Sequence, residues 1–425
     1  MDAIGRLGRR YRLTGARVPS ALAALDGAPA GDGLLDAEIG VEDGRFREAA
    51  ADWPAVDLGG RIVLPGLVDA HVHLDKGHVW PRRANPDGTL AGALDAARAD
   101  RRCWTTDDLA RRMEFSLRAA WAHGTVALRT HLDTDTADEA SWDVFAAARE
   151  RWAGRLALQA ASLSGPDAAD CPGFGAMADR VAAEGGVLGA VVVGAEGLDA
   201  RLDRFLDAAG TRGLDVDFHA DETTDPGSRG LDAIARAVSR TGFRGRVLAG
   251  HACALATQPE DEAMATLDRV AEAGVDLVSL PLCNLYLQDR AAGRTPRLRG
   301  VTLVHEAKAR GVRVAFASDN TRDPFHPGGD LDMLAVWREA SRIAHLDHPV
   351  GDWPAAFAAT PALMLGVEAG SIAPGRAADL VVTEARDWSE FRARPQTGRV
   401  VIRDGARLDA APPDYADLDD LVGRA

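Results

Sequence analysis

Eight short apolar runs, each rich in β-branched or bulky aliphatic residues, recur between residues 67 and 320, and this alternation limits the fold more than any other feature. The runs are Leu67–Leu74, Thr125–Asp133, Arg155–Leu163, Val187–Ala195, Leu214–Glu222, Arg246–Cys253, Val275–Leu282 and Val312–Asn320. Amphipathic segments separate them. Thr106–His123 sets Leu109, Met113, Leu117 and Trp121 at helical spacing and stops before Gly124. Glu260–Ala273 carries Met264, Leu267 and Val270 and stops before Gly274; Ser228–Thr241 opens on a candidate N-cap serine and stops before Gly242. Strands that alternate with helices must run parallel, because the helix carries the chain back across the sheet. Eight such units predict an α/β fold, a (β/α)8 TIM-type barrel rather than an open sheet.

Shorter strands flank this region. Tyr11–Leu13, Ala37–Val41 and Gly60–Leu64 precede it, with Ala21–Gly33 as a loop; Ala378–Thr383 and Gly398–Arg403 follow it, separated by the irregular stretch Trp388–Gln396. They are expected to pair across the chain ends into a small β-sandwich domain. The domain expectation is therefore residues 1–64 and 369–425 for the β domain and 65–368 for the barrel, with an acidic tail from Pro412 that is helical or loose.

In a barrel of this kind the reactive side chains sit at the carboxyl ends of the strands, and the polar residues of the runs collect there. The first run ends in His71 and His73, the second in His131 and Asp133, the fifth in His219, Asp221 and Glu222, the sixth in His251 and the eighth in Asp319. The fourth carries no acid or base before Glu196. Side chains two apart on a strand share a face, so His71 and His73 point the same way. Two imidazoles so placed can bind one metal ion; two partly buried, hydrogen-bonded histidines are the alternative. Five strand ends bearing His, Asp or Glu favour the metal. The expected ligands are His71, His73, His219 and Asp319, holding one divalent ion per chain, zinc or iron, with manganese also possible. The ion lowers the pKa of a bound water. His251 and Asp319 can take its proton or orient it, and Glu222 can carry a proton to the substrate. A second metal would need a bridging group, often a carboxylated lysine of the fourth strand, and neither Lys76 nor Lys308 lies there.

Composition removes whole classes of function. The 425 residues carry a net charge of −15 with the acids scattered, which argues against a nucleic acid or an anionic membrane as partner. The longest apolar run, Val187–Ala195, is too short to span a bilayer. Met1–Leu13 lacks the apolar core of a secretory signal. Cys103, Cys171, Cys253 and Cys283 have no Cys-x-x-Cys spacing, so they are expected to be reduced and the protein cytoplasmic. The same lack of Cys-x-x-Cys excludes the zinc deaminases that edit bases in polynucleotides. Only two residues are lysine, and Lys76 lies three past His73.

These motifs resemble the amidohydrolase superfamily, and within it the cytosine deaminase branch. Pro65-Gly66-Leu67-Val68-Asp69-Ala70-His71-Val72-His73 resembles the superfamily's first-strand signature, and Arg129-Thr130-His131-Leu132-Asp133 the branch's second-strand signature. His219-Ala220-Asp221-Glu222 is similar to a His-Cys-Asp-Glu segment, and Asn284 to Arg290 to an Asn-x-x-Leu-Gln-x-Arg loop. Asp319 with Asp323-Pro324 resembles the end of strand eight, and Gly370–Leu380 the return into the small β domain. Leu74-Asp75-Lys76 is also similar to N-isopropylammelide isopropylaminohydrolase. The resemblance implies the same four ligands, Glu222 as proton carrier, His251 steadying the attacking hydroxide, and Lys76, Asn284 and Gln288 facing the pocket.

Departures bear on the substrate. Ser162–Gly165 has no counterpart of the glutamine that reads the pyrimidine edge, Asn320 stands where the branch has a second Asp, Phe325 replaces a Trp, and Arg322 is added nearby, so Asn320, Arg322 and Phe325 are expected to contact the substrate; Arg322 either favours an oxo- or carboxylate-bearing compound or pairs with Asp323 or Asp330. Amide and carboxylate offer different hydrogen-bond sets, which makes cytosine itself a doubtful substrate. The expected activity is an aminohydrolase in which metal-bound hydroxide attacks a C–N bond of a small nitrogen heterocycle and releases ammonia or an amine, in a homo-oligomer. The alternatives are opening of a cyclic or acyclic amide, and a non-catalytic metal-binding barrel.

Overall fold

The computed structural model describes residues 8–25, 27–165 and 167–423. The expectation about a leader rests partly on residues 1–7 and lies outside them. The strands are β1 (Arg10–Pro19), β2 (Leu34–Glu42), β3 (Arg45–Arg47), β4 (Ala55–Pro65), β5 (Leu67–Val72), β6 (Thr125–Asp133), β7 (Ala157–Leu163), β8 (Leu188–Val192), β9 (Val216–Ala220), β10 (Val247–His251), β11 (Val275–Ser279), β12 (Val314–Phe316), β13 (Leu380–Val382), β14 (Val400–Arg403) and β15 (Ala406–Arg407). Each of the eight predicted runs contains one of β5 to β12. The chain divides into two compact units.

One unit holds the described residues up to Asp69 together with Arg118–Leu128 and Leu331–Pro413. Its sheet has the order β15-β14-β13-β4-β1-β2-β3. The two ends of the chain meet where β13 pairs antiparallel with β4, Leu380 opposite Pro65 and Val382 opposite Val63. Alternation along β1, shifted by one residue between Leu13 and Ala16, buries Tyr11, Leu13 and Val18 with Ile39, Val41, Leu380 and Ile402 in one apolar cluster. The Tyr11 hydroxyl, buried with them, donates to the Gly405 carbonyl at 2.7 Å.

The other unit holds Ala70–Leu117, Arg129–Asp330 and the described residues from Asp414. Five strands run parallel in the order β12-β11-β10-β9-β8, and three more form the sheet β5-β6-β7. Isolated parallel bridges join Ala161 to Val187, Ser164 to Ala190 and Val72 to Asp319. Helices Thr106–His123 and Glu260–Ala273 span the predicted residues. The third starts at Gly230 and differs at its cap: Arg229 is the N-cap and no side chain caps from that position. Instead the Asp221 carboxylate, from the loop after β9, accepts the Gly230 and Leu231 N–H groups at 2.8 and 2.9 Å and the Ser228 hydroxyl at 2.5 Å. A remote acid thus does the expected work of the local serine, at the end of the helix that favours negative charge.

Arginine ties successive helices together. Arg180 meets Asp143 at 2.6 Å, Arg212 meets Asp179 at 2.7 Å, Arg240 meets Asp203 at 2.6 Å and Arg310 meets Asp268 at 2.7 Å. The guanidinium fork suits such exposed carboxylate pairs better than an ammonium, although each contributes only about 0–1 kcal/mol.

The fourth predicted run, without acid or base, owes its sequence to space. A Cβ on Gly189 would lie 2.2 Å from the Ser162 carbonyl oxygen and 2.7 Å from that of Asp217. Only glycine lets β8 pass between β7 and β9 at this level. Gly189→Ala is expected to destabilise the protein by at least the roughly 1–3 kcal/mol typical of overpacking, read as a lower urea midpoint; an unchanged midpoint would show that the strands can part there at no cost.

Candidate active site

The strand pattern that places His71 and His73 on one face brings both to His219. His71 lies one residue before the end of β5, His73 follows that strand, and His219 lies near the end of β9. His71 Nε2 lies 3.2 Å from His219 Nε2, and His73 Nε2 lies 3.3 Å from the same atom. Asp319 Oδ1 stands 3.6 Å from His71 Nε2 and 3.3 Å from His73 Nε2. Donors at about 2.1 Å from a common tetrahedral centre are separated by roughly 3.4 Å. These four separations are of the size that donors around one divalent ion would have. Burial holds the imidazoles of His71, His73 and His219 well below the usual histidine pKa, helped by the neighbouring rings and, for His73 and His219, by Lys76. Neutral imidazole is the form that donates a lone pair to a metal.

His131, which the sequence placed at a strand end without a role, sits in the same cluster. Its ring centroid is 3.9 Å from that of His71, and its ring nitrogens come within ligand range of His71, His73 and His219. It also faces Asp217, with Nε2 3.3 Å from Oδ1. Asp217 in turn accepts from Arg129 Nη1 at 2.8 Å, and Arg129 Nη2 donates to Gln159 at 2.9 Å. Arg129, His131 and Asp217 are fully buried. Only the position of His131 at a strand end hinted at this; Asp217 lies inside β9 and gave no signal.

Glu222, two residues past β9, stands 3.6 Å from His251 Nδ1 through Oε1. Loss of surrounding water and the Asp319 charge push its carboxyl pKa well above the usual range, with Lys76 opposing. Burial lowers His251 to about 3, so its ring is neutral. Asn284, in the helix Pro281–Leu287, joins the pair: its Nδ2 is 3.0 Å from His251 Nδ1 and 3.5 Å from Glu222 Oε1.

Other predicted residues fall into two groups. Lys76 is buried and ion-paired with Asp133; burial works against its charge, but Asp133 and Asp75 outweigh it and its pKa rises. Its ammonium lies 5.7 Å from the Phe325 ring, and Gln288 is buried with Nε2 unbonded among the described residues. Asn320 and Arg322 are engaged elsewhere. Asn320 Nδ2 donates to Asp323 at 2.7 Å, and its Oδ1 lies 3.6 Å from the Cys283 thiol. The Arg322 guanidinium stacks 4.0 Å over Tyr415, whose hydroxyl donates to Asp330 at 2.9 Å. All four cysteines are free thiols. Among the described residues no helix is long and apolar enough to cross a membrane.

Known proteins resemble this chain in sequence and in fold. Residues 105–408 match the profile of the Amidohydrolase family. A pterin deaminase of Rhizobium rhizogenes is 49% identical over 97% of each chain. Among solved structures, 5-methylcytosine deaminase of Klebsiella pneumoniae superimposes with a TM-score of 0.78 at 23% identity, covering 95% of this chain and 98% of that one. N-isopropylammelide isopropylaminohydrolase of Burkholderia multivorans gives 0.70 at 25% identity, with 94% and 98% covered.

The loop that follows Asp319 turns on Asp323, whose carboxyl accepts from Asn320, Phe325 N–H and His326 N–H yet is pushed by burial from 3.8 to about 7. Between about pH 4 and 7 the folded chain keeps a proton that the unfolded chain has lost, so this group's contribution to stability declines as pH rises through that window. Asp323→Asn removes the titration. From pH 5 to pH 8 the variant should gain on the parent by about 2–3 kcal/mol in urea unfolding; a gap that does not move with pH would mean that Asp323 is ionised throughout.

Proposed function

The chain belongs to the amidohydrolase family, and from that premise we propose that it removes the exocyclic amino group of a pterin by hydrolysis. It is a hydrolytic enzyme acting on C–N bonds, a metal-dependent deaminase of a nitrogen heterocycle. The pterin is the finer step, and the relative that shares half its residues carries it. The observation that supports the chemistry is the convergence of three neutral imidazoles and Asp319 beside a carboxyl, Glu222, that resists ionisation.

His71, His73, His219 and Asp319 are the residues we assign to the ion, one zinc or iron per chain. Bound there, a divalent ion supplies Lewis acidity and lowers the pKa of water. Glu222, protonated at the outset, gives its proton to the ring nitrogen beside the amino-bearing carbon, and the carboxylate so formed takes a proton from the attacking water. The water oxygen bonds to that carbon, a second proton goes through Glu222 to the amino group, and ammonia leaves as the new carbonyl forms. His251 steadies the charge that develops on the incoming oxygen. Lys76, Gln288 and Phe325 line the substrate side in this reading: a fixed cation, an unpaired amide and an aromatic wall suit a flat ring with an oxo group. Asn320, bonded to Asp323, and Arg322, stacked on Tyr415, support the loop rather than read the ring.

The architecture we assign is a closed (β/α)8 barrel over residues 65–368 with the chain-end sheet as a small β domain over residues 1–64 and 369–425. The parallel strand order and the bridges Ala161–Val187 and Val72–Asp319 support closure.

Ammonia release and metal content measured together test the function. Pterin should yield ammonia at one metal per chain, while cytosine, 5-methylcytosine, isoguanine, creatinine and N-alkylaminotriazines should yield little. Glu222→Gln should keep the metal and lose roughly 10²–10⁴-fold in kcat. A new carboxylate in the product would replace this reading with amide opening, and no turnover of any compound by the metal-loaded protein would replace it with a non-catalytic barrel.

A further inference from the structure

His251 is held by an unusual backbone. It has φ 68° and the next residue, Ala252, has φ 49°, two successive non-glycine residues in the left-handed region at the end of β10. Such residues are strained and persist only where their surroundings fix them. The ring is presented by a buried turn, and the identity of the group at its Nδ1 matters. That group is the side-chain amide of Asn284, 3.0 Å away and itself buried. An amide N–H can only donate. If Nδ2 faces Nδ1, the imidazole must accept there and carry its proton on Nε2. The His251 Nε2 atom is buried and has no hydrogen-bond partner among the described residues. The second N–H of the same amide lies 3.5 Å from Glu222 Oε1. Once Glu222 has given up its proton, the opposite rotamer of Asn284 would set its carbonyl oxygen against a carboxylate oxygen, so in that state the contact with Glu222 also favours the orientation that donates to His251.

We infer that Asn284 is a positioning residue: it fixes His251 in the tautomer protonated at Nε2 and holds Glu222 in register with it, so that His251 acts as a hydrogen-bond donor to the oxygen added to the substrate and not as a base. The inference rests on the proposed hydrolytic reaction for its consequence, but not for its geometry. It divides the proton work in the site. Glu222 moves protons, and His251 keeps the one it has. It also gives Asn284 a role towards the protein instead of the substrate-facing role that the family resemblance implied.

The tautomer is read without substrate. In the zinc-loaded, ¹⁵N-histidine-labelled protein, two-bond ¹H–¹⁵N correlations recorded in solution or in the solid state should show His251 with a proton on Nε2 and an unprotonated Nδ1. His251→Gln identifies the signal by its loss. Asn284→Asp presents an acceptor of the same shape and should move the proton to Nδ1. By analogy with the roughly 10⁴-fold loss when a catalytic histidine is forced into the wrong tautomer, kcat for this variant should fall about 10³–10⁴-fold, with KM and zinc content near the parent's. Asn284→Ala removes the restraint without reversing it and should lose at most about 10²-fold. A proton on Nδ1 in the parent overturns the inference whether or not any variant folds. An alanine variant as damaged as the aspartate variant overturns it too, because only packing would then be at stake. Failure of the pterin assay alone, with Nε2 protonated, would count against the proposed substrate and leave this assignment standing.

Discussion

A proton can link two nitrogen atoms, but it serves a third only by being shared. His219 Nε2 faces His71 Nε2 at 3.2 Å and His73 Nε2 at 3.3 Å, and Asp319 Oδ1 closes on the latter two at 3.6 and 3.3 Å. Hydrogen bonding could satisfy such a set only with long, divided contacts, and burial opposes adding a charge to any of the rings. A single divalent cation would satisfy every donor at once. The rest of the site follows from holding these four groups together. The imidazoles must be kept neutral, which their burial does.

Beneath the ligands the chain spends a buried ion pair. Arg129 and Asp217 lie side by side at the level of His131, which packs its ring against His71. A lone arginine there would repel the cation above it. Asp217 cancels that charge, and its second oxygen meets His131 Nε2 at 3.3 Å. A buried pair of this kind contributes little net stability against an apolar substitute. Its worth is in orientation: it locks one ring that locks another. Gly189 permits the arrangement from the side, because β8 must run flush against the Asp217 strand.

How much of this was legible follows the range of the interactions involved. Strand and helix patterns are local, so the eight parallel strands and the helices at Thr106 and Glu260 could be read from spacing alone. The clustering of His71, His73, His219 and Asp319 was legible because chemistry at strand ends is restricted to few residue types. His131 lacked a role because its partner, Asp217, is a residue of another strand and looks in sequence like an ordinary charge. Asn320 and Arg322 read as substrate contacts because they depart from the resembling branch; their partners Asp323, Cys283 and Tyr415 could not be inferred from spacing. The cap of the helix at Gly230 failed for the same reason. Ser228 stood at the right place for an N-cap, but a carboxylate nine residues before the helix had the better geometry.

That cap shows how the strained strand ends are held. Asp221, His251 and Asp319 all have left-handed φ values, 47°, 68° and 62°, though none is glycine. Glycine would relieve the backbone but could not carry a carboxylate or an imidazole. The cost has to be met next to the site. At Asp221 the strained residue is itself the cap: its carboxylate bonds to two helix N–H groups and so collects the stabilisation of a helix N-terminus, while the following residue, Glu222, is left beside His251. At Asp319 the same task falls to Asp323, whose carboxyl gathers two backbone N–H groups of the loop. Here acids that touch neither metal nor substrate are as necessary as those that do, because they keep a high-energy turn in the one conformation that aims the reactive side chain.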